Sequence, residues 1–73
     1  MAYVSQNVAY LVSVMNTNPN LFNVILVNGN AELLQMYISQ VKLELSSQLM
    51  DEDDADTLFL LQLKIQNQLA KIA

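Results

Sequence analysis

Cysteine, histidine, tryptophan and arginine are all absent from this 73-residue chain. Without cysteine there are no disulfides. Without cysteine or histidine there is no zinc site built on thiolate or imidazole, and no Cys or His nucleophile or base. Glycine occurs once, at Gly29, which leaves no glycine-rich loop to cradle a phosphate. Charge is scarce as well. Three lysines face seven acidic residues, and charged side chains make up 14% of the chain, against about 25% in an average soluble protein.

These shortages exclude several classes of partner. Nucleic-acid binding needs clustered Lys or Arg to neutralise phosphates. Lys42, Lys64 and Lys71 are scattered along the sequence, the net charge is −4 and the pI is ≈ 4.1. Neither nucleic acid nor an anionic membrane surface is an expected partner. No charged side chain precedes Glu32, but Asn7, Asn16, Asn18, Pro19, Asn20, Asn23, Asn28 and Asn30 break that stretch. Its longest apolar run, Val8 to Met15 with Ser13 inside it, is far short of the ~20 residues of a membrane span. No Lys or Arg opens the chain, as a signal peptide would require. The expectation is a cytoplasmic protein forming one helical domain over residues 1–73.

What the chain does have is apolar residues, 53% of the total, and amides, with eight Asn and seven Gln. The apolar content argues against disorder. At this size a single core rarely supplies more than ~3–5 kcal/mol, and the usual supplements are disulfides, metals or oligomerisation. Only the last is open to this composition.

Asn18-Pro19, Asn28-Gly29-Asn30 and Asp51-Glu52-Asp53-Asp54 divide the chain into segments of about 3–16, 19–27, 31–50 and 55–72. Asn18-Pro19 reads as a helix N-cap and first helical position, and Asn28-Gly29-Asn30 as a stop followed by a new cap. In the third segment Leu34, Ile38, Val41, Leu45 and Leu49 are spaced 4, 3, 4 and 4. In the fourth, Leu58, Leu61, Ile65, Leu69 and Ile72 are spaced 3, 4, 4 and 3, with Asp54 as the expected N-cap. Both patterns are helical. A connection of about four residues makes them antiparallel neighbours, so residues 31–72 are expected to form a helical hairpin.

The first two segments are less decided. Val4, Val8, Leu11, Val12 and Met15 fit one helix face, while Val8, Tyr10, Val12 and Val14 also alternate as a strand would. Helix is favoured because a strand would leave Leu11 on the polar side. Residues 19–27 read as a short buried helix, with a strand as the alternative. The fold class is therefore all-α, three or four helices built on the C-terminal hairpin.

Both hairpin helices carry a second apolar stripe: Met36, Leu43 and Met50 on one, Phe59, Leu63 and Ala70 with Leu60 on the other. At about 100° per residue these lie well away from the first stripes. A helix in a small hairpin buries one stripe against its partner, and some 25 N-terminal residues are hard pressed to cover two more. Met36, Leu43, Met50, Phe59, Leu60 and Leu63 are thus candidate interface residues. The plainer alternative is that they all pack inside a compact four-helix monomer. Tyr3, Tyr10 and Tyr37 are possible interface anchors, although core packing is preferred for Tyr10 and Tyr37.

Catalysis is not expected. The carboxylates crowd one turn, no His serves as base, and the lysines fall on apparent solvent faces. A calcium loop beginning at Asp51 would place Ala55 at a ligand position, Asp56 where glycine belongs and Gln62 in place of the closing Glu. No cofactor, metal or small-molecule substrate is implied. Asp51, Glu52, Asp53 and Asp54 form either a solvated, helix-capping turn or an acidic docking patch. The function expected is a non-enzymatic assembly or interaction subunit acting as a homo-oligomer, a dimer in the simplest case. The alternative is a small acidic inhibitor or regulator of another protein. No motif is specific enough to identify a family.

Overall fold

The computed structural model describes residues 3–47 and 50–72. Among these, four helices follow one another: α1 (Gln6–Thr17), α2 (Pro19–Asn28), α3 (Ala31–Ser47) and α4 (Glu52–Ile72). Each starts where a short polar side chain replaces a missing intrahelical acceptor. The Ser5 hydroxyl accepts from the Val8 N–H at 3.3 Å, and the Asn18 side chain from Leu21 at 3.2 Å. Asn30 accepts from Leu33 at 2.8 Å, and Asp51 from Asp54 at 2.9 Å. Caps of this kind contribute about 1 kcal/mol each.

Asn18 works in both directions. Its backbone N–H donates to the Val14 carbonyl at 2.8 Å to close α1, while its side chain opens α2. A single residue thus separates the two helices, and Pro19 supplies the fixed φ of a first helical position. The N-terminal segments whose periodicity was ambiguous are both helical.

Gly29 closes α2 without the left-handed backbone common at helix ends. Its φ is −76° and ψ 143°, an extended conformation open to any residue. What glycine provides here is space. A Cβ at this position would stand 3.0 Å from Leu34 Cδ2, and Leu34 is fully buried.

The core takes Val8, Leu11, Val12, Val14 and Met15 from α1 and Phe22 and Leu26 from α2. Leu34, Ile38 and Val41 come from α3, and Leu58, Leu61 and Ile65 from α4. The most extensive contact is between α3 and α4, the expected hairpin. Helix α1 packs on both of them, and α2 on α1 and α4. The result is an all-α compact four-helix bundle. Its Cα radius of gyration is 11.6 Å, against roughly 11 Å for a well-packed chain of this length.

Several expected boundaries and placements need correction. Helix α4 begins three residues earlier than expected, because Asp51 rather than Asp54 is the cap. Helix α3 is described as far as Ser47, and Met50, expected at its end, is not helical; Leu49, expected in its core stripe, lies outside the described residues. Val4 precedes the Ser5 cap and is 81% exposed, so it is not part of the α1 face. Tyr10 is exposed rather than buried. Helix α2 is not wholly buried either: Phe22 and Leu26 point inward, and Leu21, Val24 and Val27 remain exposed. With only ten residues, α2 touches the bundle along one narrow stripe.

Candidate interaction surface

On α3 and α4 the apolar core draws on the first stripes, over which α1 and α2 pack; Ile72, expected in the α4 stripe, is exposed instead. Of the six candidate interface residues, Met36, Leu43, Phe59, Leu60 and Leu63 are exposed. Leu43 keeps 64% of its surface in water, Phe59 58% and Leu63 53%. Met50 is placed differently. It sits in the connection between α3 and α4, half-buried against the core, because α3 stops before reaching it.

These residues do not form one patch by position on the helices. On α3, Met36 and Leu43 lie about 160–180° around the axis from Leu34. Leu43 adjoins Val4 along an open cleft of about 120 Å³ that Ser5, Gln40, Glu44 and Ser47 also line. Met36 lies beside Asn30, Glu32 and Leu33 in another open groove. On α4, Phe59, Leu60 and Leu63 occupy the arc from about 100° to 200° from Leu58. The α2 residues Val24 and Val27 border a third shallow groove with Asn23 and Asn28.

The acidic turn divides into two roles. Asp51 is engaged as the α4 cap, and Asp54 is half-buried in the first turn. Glu52 and Asp53 stand in solvent within the first turn, where the helix dipole favours negative charge. Among the described residues no three carboxylates come together in a way that could hold a metal ion. Tyr3 packs partly buried near this turn. Burial above all, and then the negative charges of Asp54, Glu44 and Asp51, push its phenol above the ordinary value of 10.0.

Glu44 is the residue the sequence reading missed. It lies on the core face of α3 and is 2% exposed. Its carboxylate accepts from the backbone N–H of Ser5. The Ser5 hydroxyl donates to the Gln40 side-chain oxygen at 3.1 Å while capping α1. A negative charge at the start of α1 is favoured by the helix dipole, so Glu44 ties the first helix to the third. The available signal was its position three residues after Val41, on the edge of an otherwise apolar face.

A groove of about 370 Å³ between α2 and α4 gathers Lys64 and Lys71 with Asn23, Asn67 and Gln68. Two of the three lysines therefore share one surface, which their spacing of seven on α4 explains. The groove's lining holds cations and amides, with no carboxylate or hydroxyl to pair with them in acid–base chemistry. Among the described residues, no helix is long and apolar enough to cross a membrane. No protein family matches the chain, and neither does any curated protein or solved structure.

Proposed function

We propose that this chain is a non-enzymatic assembly subunit that acts by self-association, as a two-fold dimer in the simplest case. One observation carries the reading. Both long helices expose large apolar side chains on faces that the bundle's own core does not use. Scattered single apolar residues are normal on a protein surface. Here they recur on successive turns of α4 at Phe59, Leu60 and Leu63, and two turns apart on α3 at Met36 and Leu43, in a chain poor in charge, and residues of that kind mark contact surfaces. The amides interspersed among them are cheaper to desolvate than charges, provided they find partners. Closed two-fold symmetry is the commonest way such a surface is satisfied.

The acidic inhibitor reading has less support. A docking patch needs free carboxylates, and Asp51 is committed to capping α4 while Asp54 is half-buried.

The test is absolute mass by light scattering after size exclusion, across a concentration series. The expected result is a species of twice the 8.2 kDa chain mass, converted to monomer by Leu43→Asp or Leu63→Asp. A parent protein that stays monomeric at every concentration, or an unchanged mass in both variants, sinks the reading.

A further inference from the structure

Helix α4 carries an exposed stripe that includes charges as well as apolar groups. Asp53, Asp56, Leu60, Leu63, Asn67 and Lys71 are all exposed and are spaced 3, 4, 3, 4 and 4. At 100° per residue they fall within an arc of about 80° on the side of α4 away from Leu58 and Ile65. Spacings alternating between 3 and 4 are those of a helix seam that meets another helix.

The order of chemistry along this stripe is acidic, acidic, apolar, apolar, amide, basic. Reversed and laid against itself, it matches. Asp53 meets Lys71, Asp56 meets Asn67 and Leu60 meets Leu63; the residue numbers of these pairs sum to 124, 123 and 123. One register therefore satisfies all three pairs, with its centre between Leu61 and Gln62. Phe59 flanks the apolar centre on one side and Lys64 on the other. The groove that holds Lys64 and Lys71 with Asn67 is where the partner's Asp53 would arrive.

We infer that the partner for this face is a second copy of the same chain, with α4 packed antiparallel against α4 across a two-fold axis near residues 61 and 62. This rests on the self-association proposed above and specifies its geometry. The observation that selects the occupant is charge complementarity. Parallel pairing would set Asp53 and Asp56 against themselves and Lys71 against Lys71, and would align the two helix dipoles unfavourably. The outer face of α3 makes no such selection, since Met36 and Leu43 sit there among Ser39, Gln40 and Ser47 with Glu32 as the one charge and no basic side chain at the other end to meet it. The exposed stripe of α2 carries no charge at all.

The absence of cysteine makes the register directly measurable. Asp56→Cys and Asn67→Cys place single thiols at exposed positions that face each other in the antiparallel pair. In an equal mixture the two variants should form a disulfide-linked heterodimer on mild oxidation. Each variant alone should not crosslink in the dimer, because 56 and its copy, like 67 and its copy, stand about 11 residues or roughly 16 Å apart along the axis. A disulfide needs Cα atoms within about 7 Å. A second readout is charge reversal: Asp53→Lys and Lys71→Glu should each weaken the dimer on the order of tenfold, and together restore it. Heterotypic crosslinking with rescue by the double reversal supports the antiparallel pair. A dimer that crosslinks homotypically, or not at all, overturns this geometry and leaves self-association standing. A chain that remains monomeric overturns both.

Discussion

The buried carboxylate of Glu44 gives the sharpest test of how this bundle is held together. Replacing it by alanine removes a hydrogen bond from the Ser5 N–H to an ionised acceptor. Bonds of that type contribute about 1.5–3 kcal/mol. The same substitution takes a negative charge away from the start of α1, an effect that overlaps the first rather than adding to it. The Ser5 N–H is then left in a part-buried position, where an unmade hydrogen bond costs about 1–3 kcal/mol. A net loss of about 2–3 kcal/mol is expected for Glu44→Ala. Against the ~3–5 kcal/mol available to a core of this size, that is about 40% of the total or more. In thermal terms it is a fall in Tm of roughly 8–24 °C, at about 4–8 °C per kcal/mol. Glu44→Gln keeps an oxygen acceptor without the charge and should lose about half as much. The assay is urea and thermal unfolding followed by far-ultraviolet circular dichroism. It must be run at one protein concentration, because self-association makes Tm depend on concentration. Glu44→Ala within about 0.5 kcal/mol of the parent would refute the assignment of Glu44 as the tie between α1 and α3.

Two further substitutions probe separate parts of the fold. Gly29→Ala keeps the N–H that donates to the Leu26 carbonyl at 3.1 Å and suits the observed φ. It should still destabilise the bundle by about 1 kcal/mol. The 0.4–1 kcal/mol gained through the unfolded chain is outweighed by pressing a methyl against buried Leu34, where overpacking costs about 1–3 kcal/mol. Denaturant midpoints decide it, and a variant at least as stable as the parent would show that Leu34 yields at no cost. Tyr3 should ionise above the ordinary value of 10.0 in an ultraviolet titration, and Tyr3→Phe should remove that late component. A phenol raised in the folded state stabilises below its ordinary value of 10.0 and loses that contribution as pH climbs through the folded value. The parent should therefore lose stability relative to Tyr3→Phe as pH climbs above 10.0; curves that stay parallel from pH 9 upward would contradict the placement of Tyr3 near Asp54, Glu44 and Asp51.

The hairpin was legible because Leu34, Ile38 and Val41 on one helix and Leu58, Leu61 and Ile65 on the other repeat at helical spacing and are buried as that spacing requires. Asn18-Pro19 and Asn30 were legible for a local reason, since Asn has a short acceptor and Pro has no N–H to lose at a helix start. The α4 cap was less so. Asp51, Asp53 and Asp54 are all competent caps, and only the tertiary position of the turn selects Asp51. For α1 and α2, Val and Tyr suit strands as well as helices, and ten or twelve residues offer too few turns for periodicity to decide. Their helicity follows from packing on each other and on the hairpin, α1 on α3 and α4 and α2 on α4, a non-local fact. Burial of Glu44 is non-local too: it depends on Ser5, 39 residues away, arriving with an unmade N–H.

The candidate surface was legible in its apolar part only. A search for hydrophobic spacing finds Phe59 and Leu63 but passes over Asp53, Asp56 and Lys71, which taken one by one are what any solvated helix displays. They become informative when the exposed face is taken whole and compared with its own reverse. Two leucines per copy, each about half in water, are a modest contact. Burying the rest of Leu60 and Leu63 contributes roughly 1 kcal/mol per side chain, and association itself costs an estimated 4–15 kcal/mol. The apolar centre alone is therefore too small to hold two copies tightly. Charge at the two ends fixes orientation more than it adds affinity. The combination points to a dimer whose strength depends on Phe59 and the flanking amides also finding partners, and whose orientation is set by Asp53 and Lys71. Adding salt should then loosen the preference for one register more than it loosens the contact itself, because screening acts on the ends and leaves the leucines untouched.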